Sequence, residues 1–422
     1  FMNTPVSSIS EPRSTWRSKL QAIGPGVLMA SAAVGGSHII ASTQAGAIYG
    51  WQLAMIVVLV NLFKYPFFRC GAQYTLDTGK SLLEGYQSKS PAYLWAFFVL
   101  NLFATVVNIA GVALITAAIL SFMLPGIGIN ILAGGVLAVT LLVLLAGKYS
   151  ALDGVSKLIM IALTASTVAA VAIAAANGGA PRAPDFIEAS PWNMAALGFI
   201  IALMGWMPAP IEFSAINSLW VAVKRKLDHV SYQDGLFDFN VGYIGSALLA
   251  LVFLALGALV QYGTGTEVKL AGPAYIAQLI DMYARTIGDW SRWLVAFIAF
   301  FCMFGTTLTA VDGYSRANTE AFRLIKGEKS YSTRALYIWT VLGCAAGMVV
   351  ILFFKGALAP MLKFAMITAF LTTPVFAWLN LMLVRGGAHR ISGGMLAFSW
   401  LGLIYLAGFA VLFLLQLVGV FG

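Results

Sequence analysis

Two short runs combine residues that free backbone groups with residues able to contact a solute. Gly35-Gly36-Ser37-His38 lies in the middle of an apolar stretch from about 24 to 46. Met207-Pro208-Ala209-Pro210 lies in a second, from about 192 to 222. Glycine and proline at the centre of a lipid-crossing helix release N–H and C=O groups that hydrocarbon cannot satisfy. Such breaks persist where backbone lines a cavity or grips a ligand, and paired breaks in two halves point to a transporter's substrate site. His38 is the only one of three histidines inside a crossing stretch. Its imidazole can donate to a carboxylate, accept from an ammonium, or carry a proton near neutral pH. The plainer account is a packed, hydrogen-bonded side chain. Gly35, Gly36 and Ala209 would leave volume and bare peptide groups for an oxyanion or small polar solute. Their plainer account is close helix packing.

Other residues sit near these runs. Acids inside a membrane are functional candidates by default. Glu212 follows the second break and is expected to gate the pathway, carry a proton or pair with a cation. Asp312 precedes Arg316 by four residues, the spacing of an intrahelical ion pair. Trp206 is too deep for the interfacial belt, so it is expected to wall the site or offer a face to a quaternary ammonium. Trp51 and Trp220, near stretch ends, suit the belt. Lys224-Arg225-Lys226 reads as a topology determinant, and Asp153 and Lys157, one turn apart, as a pair.

The elements that must position these residues are membrane-crossing helices. Of the 422 residues, 60% are hydrophobic and 10% charged, and mean hydropathy is +0.88. A soluble domain carries about 25% charged residues. Stretches able to span about 30 Å of hydrocarbon fall near 22–46, 50–72, 92–122, 128–147, 152–176, 193–222, 238–263, 289–322, 334–355, 360–384 and 395–420. With the N-terminus inside, only Arg182, Lys269, Arg285, Arg292, Lys355 and Lys363 of the 25 Lys and Arg fall outside; the other nineteen fall on inner loops and helix ends. That bias places the N-terminus in the cytoplasm and the C-terminus outside. Breaks in the first and sixth of eleven spans suggest a five-plus-five inverted repeat with one extra helix. Each break would bring positive helix N-termini and negative C-terminal carbonyls to the midplane.

Several classes are excluded or disfavoured. Cys70, Cys302 and Cys344 form no CxxC pair and read as buried small hydrophobes. Phe1 to Thr15 lacks the apolar core of a cleavable signal. Net charge is +9, which positive inner loops explain without a nucleic-acid partner. No GxxxxGK[ST] run is present, so energy is expected from an ion gradient or solute flow.

Gly24-Pro25-Gly26, the broken first stretch, Ala45-Gly46, Tyr49-Gly50, Thr78-Gly79, Leu83-Glu84 and Met207-Pro208 resemble the Nramp family of divalent-metal transporters, over roughly 20 to 385. The resemblance implies a LeuT-like fold. In the family the first break reads Asp-Pro-Gly-Asn, with Asp and Asn binding metal; here those positions are Gly35, Gly36, Ser37 and His38. The family's Met-Pro-His in the sixth helix becomes Met207-Pro208-Ala209, and its acidic pair in the third helix aligns with Thr105 and Asn108. A divalent cation leaving water needs anionic or several strong oxygen ligands, and here only Met207 and His38 remain as soft donors. LeuT-like transporters hold sodium between carbonyls of the first break and hydroxyls of the eighth helix, which would be Val34, Thr306 and Thr307. The plainer account of the threonines is back-bonding to their own helix.

The reading is an all-α membrane protein with a LeuT-like five-plus-five repeat, helices 1 and 6 broken, and an eleventh helix. A cytoplasmic tail covers 1–20 and one transporter domain 21–422, with repeats at about 21–176 and 192–384 and the extra helix at 395–420. The expected function is ion-coupled secondary transport, not enzymatic, of a small anionic or zwitterionic solute such as bicarbonate, a small carboxylate or a betaine. The expected substrate contacts are Gly35, Gly36, Ser37, His38, Asn108, Trp206, Met207 and Ala209. Sodium is the expected co-ion and proton the second choice; Glu212 and His38 are the proton-linked candidates. No cofactor is expected, and the protein is expected as a monomer in the plasma (inner) membrane. The alternative is a divalent metal transporter for manganese, iron or magnesium using Met207 and His38. A non-transporting scaffold or channel is a remoter alternative, since an idle scaffold has no need of paired breaks.

Overall fold

A computed structural model describes residues 14–147, 149–270, 272–386 and 389–420, without the side chains of 149–153 and 155–157. The Asp153–Lys157 pairing therefore lies outside the described residues. All regular structure among the described residues is helical. The chain runs through α1 (Trp16–Ala22), α2 (Pro25–Ala33), a π-helical turn (Ser37–Ser42) and α3 (Thr43–Tyr49). Then come α4 (Ala54–Thr78), α5 (Leu82–Lys89), α6 (Pro91–Met123), α7 (Ile129–Leu145) and α8 (Tyr149–Ala176). The second half holds α9 (Met194–Gly205), α10 (Phe213–Asp228), α11 (Tyr232–Val260), α12 (Gly272–Ile287) and α13 (Ser291–Ile325). Last come α14 (Thr333–Phe353), α15 (Leu358–Leu383) and α16 (Gly393–Leu417).

Eight of these helices are long and apolar enough to cross a bilayer, and α2 with the π turn and α3, bent by 48° at the break, forms a ninth crossing. The two remaining expected spans are α7 and the pair α9/α10. α7 has 17 residues, about 25 Å at 1.5 Å per residue. α9 stops after 12 residues, because Pro208 and Pro210 remove the N–H donors that a continuing helix needs.

Local signals set the ends. Ser81 and Glu84 form a reciprocal capping box on α5. Asn193 caps α9 and Ser231 caps α11 through side-chain oxygens. The amphipathic connectors α5 and α12 were not anticipated from hydropathy, because each is too short or too polar to read as a span. They occupy matching places, between the second and third crossings and between the seventh and eighth.

The helix contacts follow a pseudo-twofold pattern. The first broken helix packs on α11 as the second packs on α4; α6 packs on α15 as α13 packs on α8; α6 and α13 pack on each other. These are the pairs that two inverted five-helix repeats would form. Close approach depends on glycine. A Cβ on Gly26 would sit 2.1 Å from the Asp238 carbonyl oxygen, and one on Gly242 2.1 Å from that of Gly26. A second such crossing joins Gly46 and Gly257, whose added Cβ atoms would lie 1.9 Å from the Leu254 oxygen and 2.1 Å from the Thr43 oxygen. Small residues let helices approach where lipid offers no hydrophobic drive for association.

One inner charge is misplaced by the sequence reading. Lys64 lies midway along α4 and is 0% exposed, so it is not a helix-end cation. Without it eighteen of the nineteen remain against six, and the bias stands.

Gly242→Ala forces backbone apart at the α2–α11 crossing, at a cost of about 1–3 kcal/mol or more. Gly245→Ala, on the same helix with nothing within 4 Å of the added Cβ, keeps or slightly raises stability, since alanine is the better helix former. Thermal denaturation of the two purified variants in detergent checks this; equal melting temperatures would remove glycine packing as the reason for the crossing.

Candidate functional site

The two breaks meet. Ser37 Oγ, at the start of the π turn, lies 2.9 Å from the Ala33 carbonyl oxygen and 3.3 Å from that of Pro208 in the second break. It is also 2.7 Å from His38 Nδ1. A cavity of about 30 Å³ opens between the breaks, walled among others by Gly36, Ser37, Asn108, Trp206, Ala209, Thr306 and Tyr314. That is room for about one water or a monatomic ion.

Gly35 and Gly36 do not leave open volume. A Cβ on Gly35 would lie 2.9 Å from Thr306 Cγ2, and one on Gly36 2.7 Å from Trp206 Cζ3. The Trp206 indole also presses on Gly111 of α6, where a Cβ would lie 2.8 Å from its Cη2. The ring thus fills the space that side chains at 36 and 111 would take. Trp206 lines this cavity at 4% exposure, and its Nε1–H has no hydrogen-bond partner among the described residues.

His38 does not face this cavity. Its Nε2 donates to the Ser246 carbonyl of α11 at 2.9 Å, its Nδ1 meets Ser37, and the ring stands edge-on to Phe253. With Nε2 carrying the proton in neutral imidazole, Nδ1 accepts from Ser37. The packed account describes His38, and a direct cargo contact requires the ring to leave both partners. Met207 is fully buried but is not among the cavity walls, whereas Ala209 is.

Glu212 and Asn108 belong to one cluster. Tyr314 Oη donates to Glu212 Oε1 at 2.8 Å, and Asn108 Nδ2 donates to Tyr314 Oη at 2.8 Å and Glu212 Oε1 at 3.2 Å. Glu212 Oε2 and Asn108 Oδ1 are buried without partners. Glu212 immediately precedes α10, where a carboxylate is favoured by the helix dipole. Thr105, the other aligned position, is engaged elsewhere: its Oγ1 donates to the Asn101 carbonyl and accepts from Asn318 Nδ2 at 2.9 Å.

The two threonines of α13 part company. Thr306 Oγ1 lies 3.1 Å from the Ser31 carbonyl of α2. Thr307 Oγ1 turns to α6, 2.9 Å from Thr116 Oγ1. Each also lies within hydrogen-bonding distance of the carbonyl four residues back, as the plainer account anticipated. The Val34 carbonyl accepts from Cys302 Sγ at 3.5 Å. Thr306 is therefore at the first break and Thr307 is not. Asp312 pairs with Arg316 at 2.6 Å.

Sequence reasoning missed two charged residues. Lys64 Nζ donates to the carbonyls of Met204 and Gly205, the last two of α9, at 2.7 and 2.9 Å. Asp238 accepts from the N–H groups of Gly24 and Gly26 at 2.9 and 2.6 Å, tying the start of α2 to α11. The available signal was the same for both: a charge inside a crossing stretch. At the opposite end of the molecule a larger cavity, about 310 Å³, opens between α3, α9 and α15, with mostly apolar walls plus Gln44, Tyr49 and Lys363. No group of three or more His, Cys, Asp or Glu arranged to hold a metal occurs among the described residues.

A family model described as natural resistance-associated macrophage protein-like (Nramp) matches residues 26–416. An uncharacterized protein of Pasteurella multocida strain Pm70 is 62% identical over 412 residues, 96% of this chain and 95% of that one. A manganese transporter of Eremococcus coleocola, solved as a glutamate-to-alanine point mutant, superposes with a TM-score of 0.72 at 15% identity, over 98% of this chain and 90% of that one. A nucleobase-cation-symport-1 family transporter, solved closed with bromovinylhydantoin bound, superposes at 0.56 with 10% identity, over 95% and 94%. The latter two likenesses concern the fold.

Ser37 faces the cavity and His38 faces α11, so Ser37→Ala is expected to weaken uptake more than His38→Gln. His38→Ala should chiefly lower stability, by about 1–3 kcal/mol, through unpaired buried groups. Uptake and melting temperature of the three variants test this; the reverse order in uptake would place the imidazole on the cargo.

Proposed function

The chain belongs to the Nramp family, whose members are membrane transporters and not enzymes, and on that premise we propose that its cargo passes between the two breaks by alternating access. The cavity beside α3, α9 and α15 is the outer vestibule in this reading. The Asp238 tie on α2 is then the inner closure. The charge bias supports cytoplasmic inner loops and placement in the plasma membrane.

The cargo suggested first by the comparisons is a divalent metal, since the family and the Eremococcus manganese transporter point that way and Met207-Pro208 is kept. The donor set supports a different cargo. Stripping water from a divalent ion needs anionic or several strong oxygen ligands, and the side chains walling the cavity are neutral. The nearby carboxylic group, Glu212, is held through Oε1 by Asn108 and Tyr314, which among the described residues leaves Oε2 as the one such oxygen near the cavity. The second break carries both an amine, Lys64, at the end of α9 and a carboxylic group, Glu212, at the start of α10. We favour a small anionic or zwitterionic solute, such as a small carboxylate or bicarbonate, for which the cavity of about 30 Å³ must widen during the transport cycle. The observation carrying this is the neutral cavity wall. Trp206 Nε1–H and the N-terminus of α10 are donors suited to such a cargo.

For the co-ion, the Ser31 and Val34 carbonyls with Thr306 Oγ1 are the oxygens suited to sodium at the first break. The unpartnered oxygens of Glu212 and Asn108 favour a proton as second choice. We expect the transporter to act as a monomer and without nucleic acid.

Reconstituted protein is expected to take up labelled small carboxylates or bicarbonate under a sodium gradient, and manganese poorly. Saturable manganese uptake that carboxylates do not compete would establish the metal cargo instead. Thr306→Ala is expected to remove sodium dependence and Thr307→Ala to keep it; equal loss in both would argue for a helix-packing effect rather than an ion site.

A further inference from the structure

Both breaks expose the carbonyl end of a half-helix inside the membrane, but the two ends are satisfied differently. In the second break the carbonyl of Met204 would normally accept from the N–H four residues on, which is Pro208 and has none. Lys64 replaces it: the ammonium donates to Met204 and Gly205 at once, at 2.7 and 2.9 Å. The side chain is wholly buried, on a different crossing helix. A buried ammonium is costly unless paired with negative charge or dipoles, and a helix C-terminus carries roughly half a negative charge.

At the first break the carbonyl oxygens of Ser31, Ala33 and Val34 meet only neutral donors: Thr306 Oγ1, the Gly35 amide and Ser37 Oγ, and Cys302 Sγ. One carbonyl end is met by a lysine Nζ, and among the described residues the other is met by no lysine or arginine.

We propose that Lys64 is a built-in cation, holding the place at the carbonyl end of α9 that a mobile monovalent cation would otherwise fill, and so confining ion coupling to the first break. The chemistry that would replace it is a small monovalent cation or alkylammonium. Coupling in this sense rests on the transport reading above. The cation site itself is tested without cargo, so failure of one is separable from failure of the other.

The test uses the purified full-length chain in detergent. Lys64→Ala vacates the ammonium's volume, Lys64→Met fills it without charge, Lys64→Gln keeps a donor without charge and Lys64→Arg keeps charge. Melting temperature is followed against sodium, potassium and ethylammonium chloride, with choline chloride as the ionic-strength control. Lys64→Ala is expected to melt lower than the parent and to recover as sodium or ethylammonium rises, with a shift that grows with the logarithm of concentration. The same rise should be absent from Lys64→Met. Lys64→Gln should melt below Lys64→Arg, which decides the role of charge even if Lys64→Ala fails to fold. Lys64→Gln or Lys64→Met as stable as the parent would overturn the proposal. So would a Lys64→Ala protein that folds but gains nothing from any cation beyond the choline control.

Discussion

A peptide N–H or C=O released inside hydrocarbon has no water to turn to, and each one left unpaired costs several kcal/mol. Two broken helices release such groups at the centre of this protein, and much of the surrounding structure answers to them. Ser37 Oγ sits between the breaks, within 2.9 Å of the Ala33 carbonyl oxygen and 3.3 Å of that of Pro208, its one proton shared among these and His38 Nδ1. Thr306 covers Ser31, Cys302 covers Val34, and Lys64 covers Met204 and Gly205. At the start of α2, Asp238 takes the amides of Gly24 and Gly26. The helices that reach in to do this, α4, α11 and α13, are among those packed against the broken pair.

That satisfaction needs short distances, and glycine supplies them. Gly26 with Gly242, and Gly46 with Gly257, bring α11 into backbone contact with the first broken helix. The same contact lets Ser246 receive His38 and Asp238 reach α2. Gly36 and Gly111 play the complementary part, making room for the Trp206 ring rather than for cargo. Packing therefore decides which residue types are allowed at the break before any ligand is considered.

Charge follows the same logic. Buried charges in lipid survive where dipoles or hydrogen bonds oppose them. Lys64 sits at a helix carbonyl end and Glu212 at a helix amide end, with Asn108 and Tyr314 on the carboxylate. The second break is thereby charge-complemented from both sides by the chain itself. Among the described residues the first break has no such ionic partner, and this asymmetry separates the two halves of an otherwise repeated architecture.

Much was legible in the sequence alone. Hydropathy stretches, two mid-stretch Gly and Pro runs and the Lys/Arg asymmetry determined the membrane class, the crossings and the paired breaks. These depend on local composition and on the fixed thickness of a bilayer. The Asp312–Arg316 pair was legible for the same reason, since i to i+4 spacing is local. Side-chain direction was not. His38 and Ser37 are neighbours in the chain, yet the π turn and the crossing with α11 send one to Ser246 and leave the other at the cavity. Thr306 and Thr307, also neighbours, diverge because successive helical residues point about 100° apart. Lys64 looked like a helix-end cation because only tertiary packing sets the middle of α4 against the end of α9, 140 residues away in the chain. A contact between distant segments leaves no local periodicity to read, so the fold alone decided which residues face the cavity and which hold the breaks together.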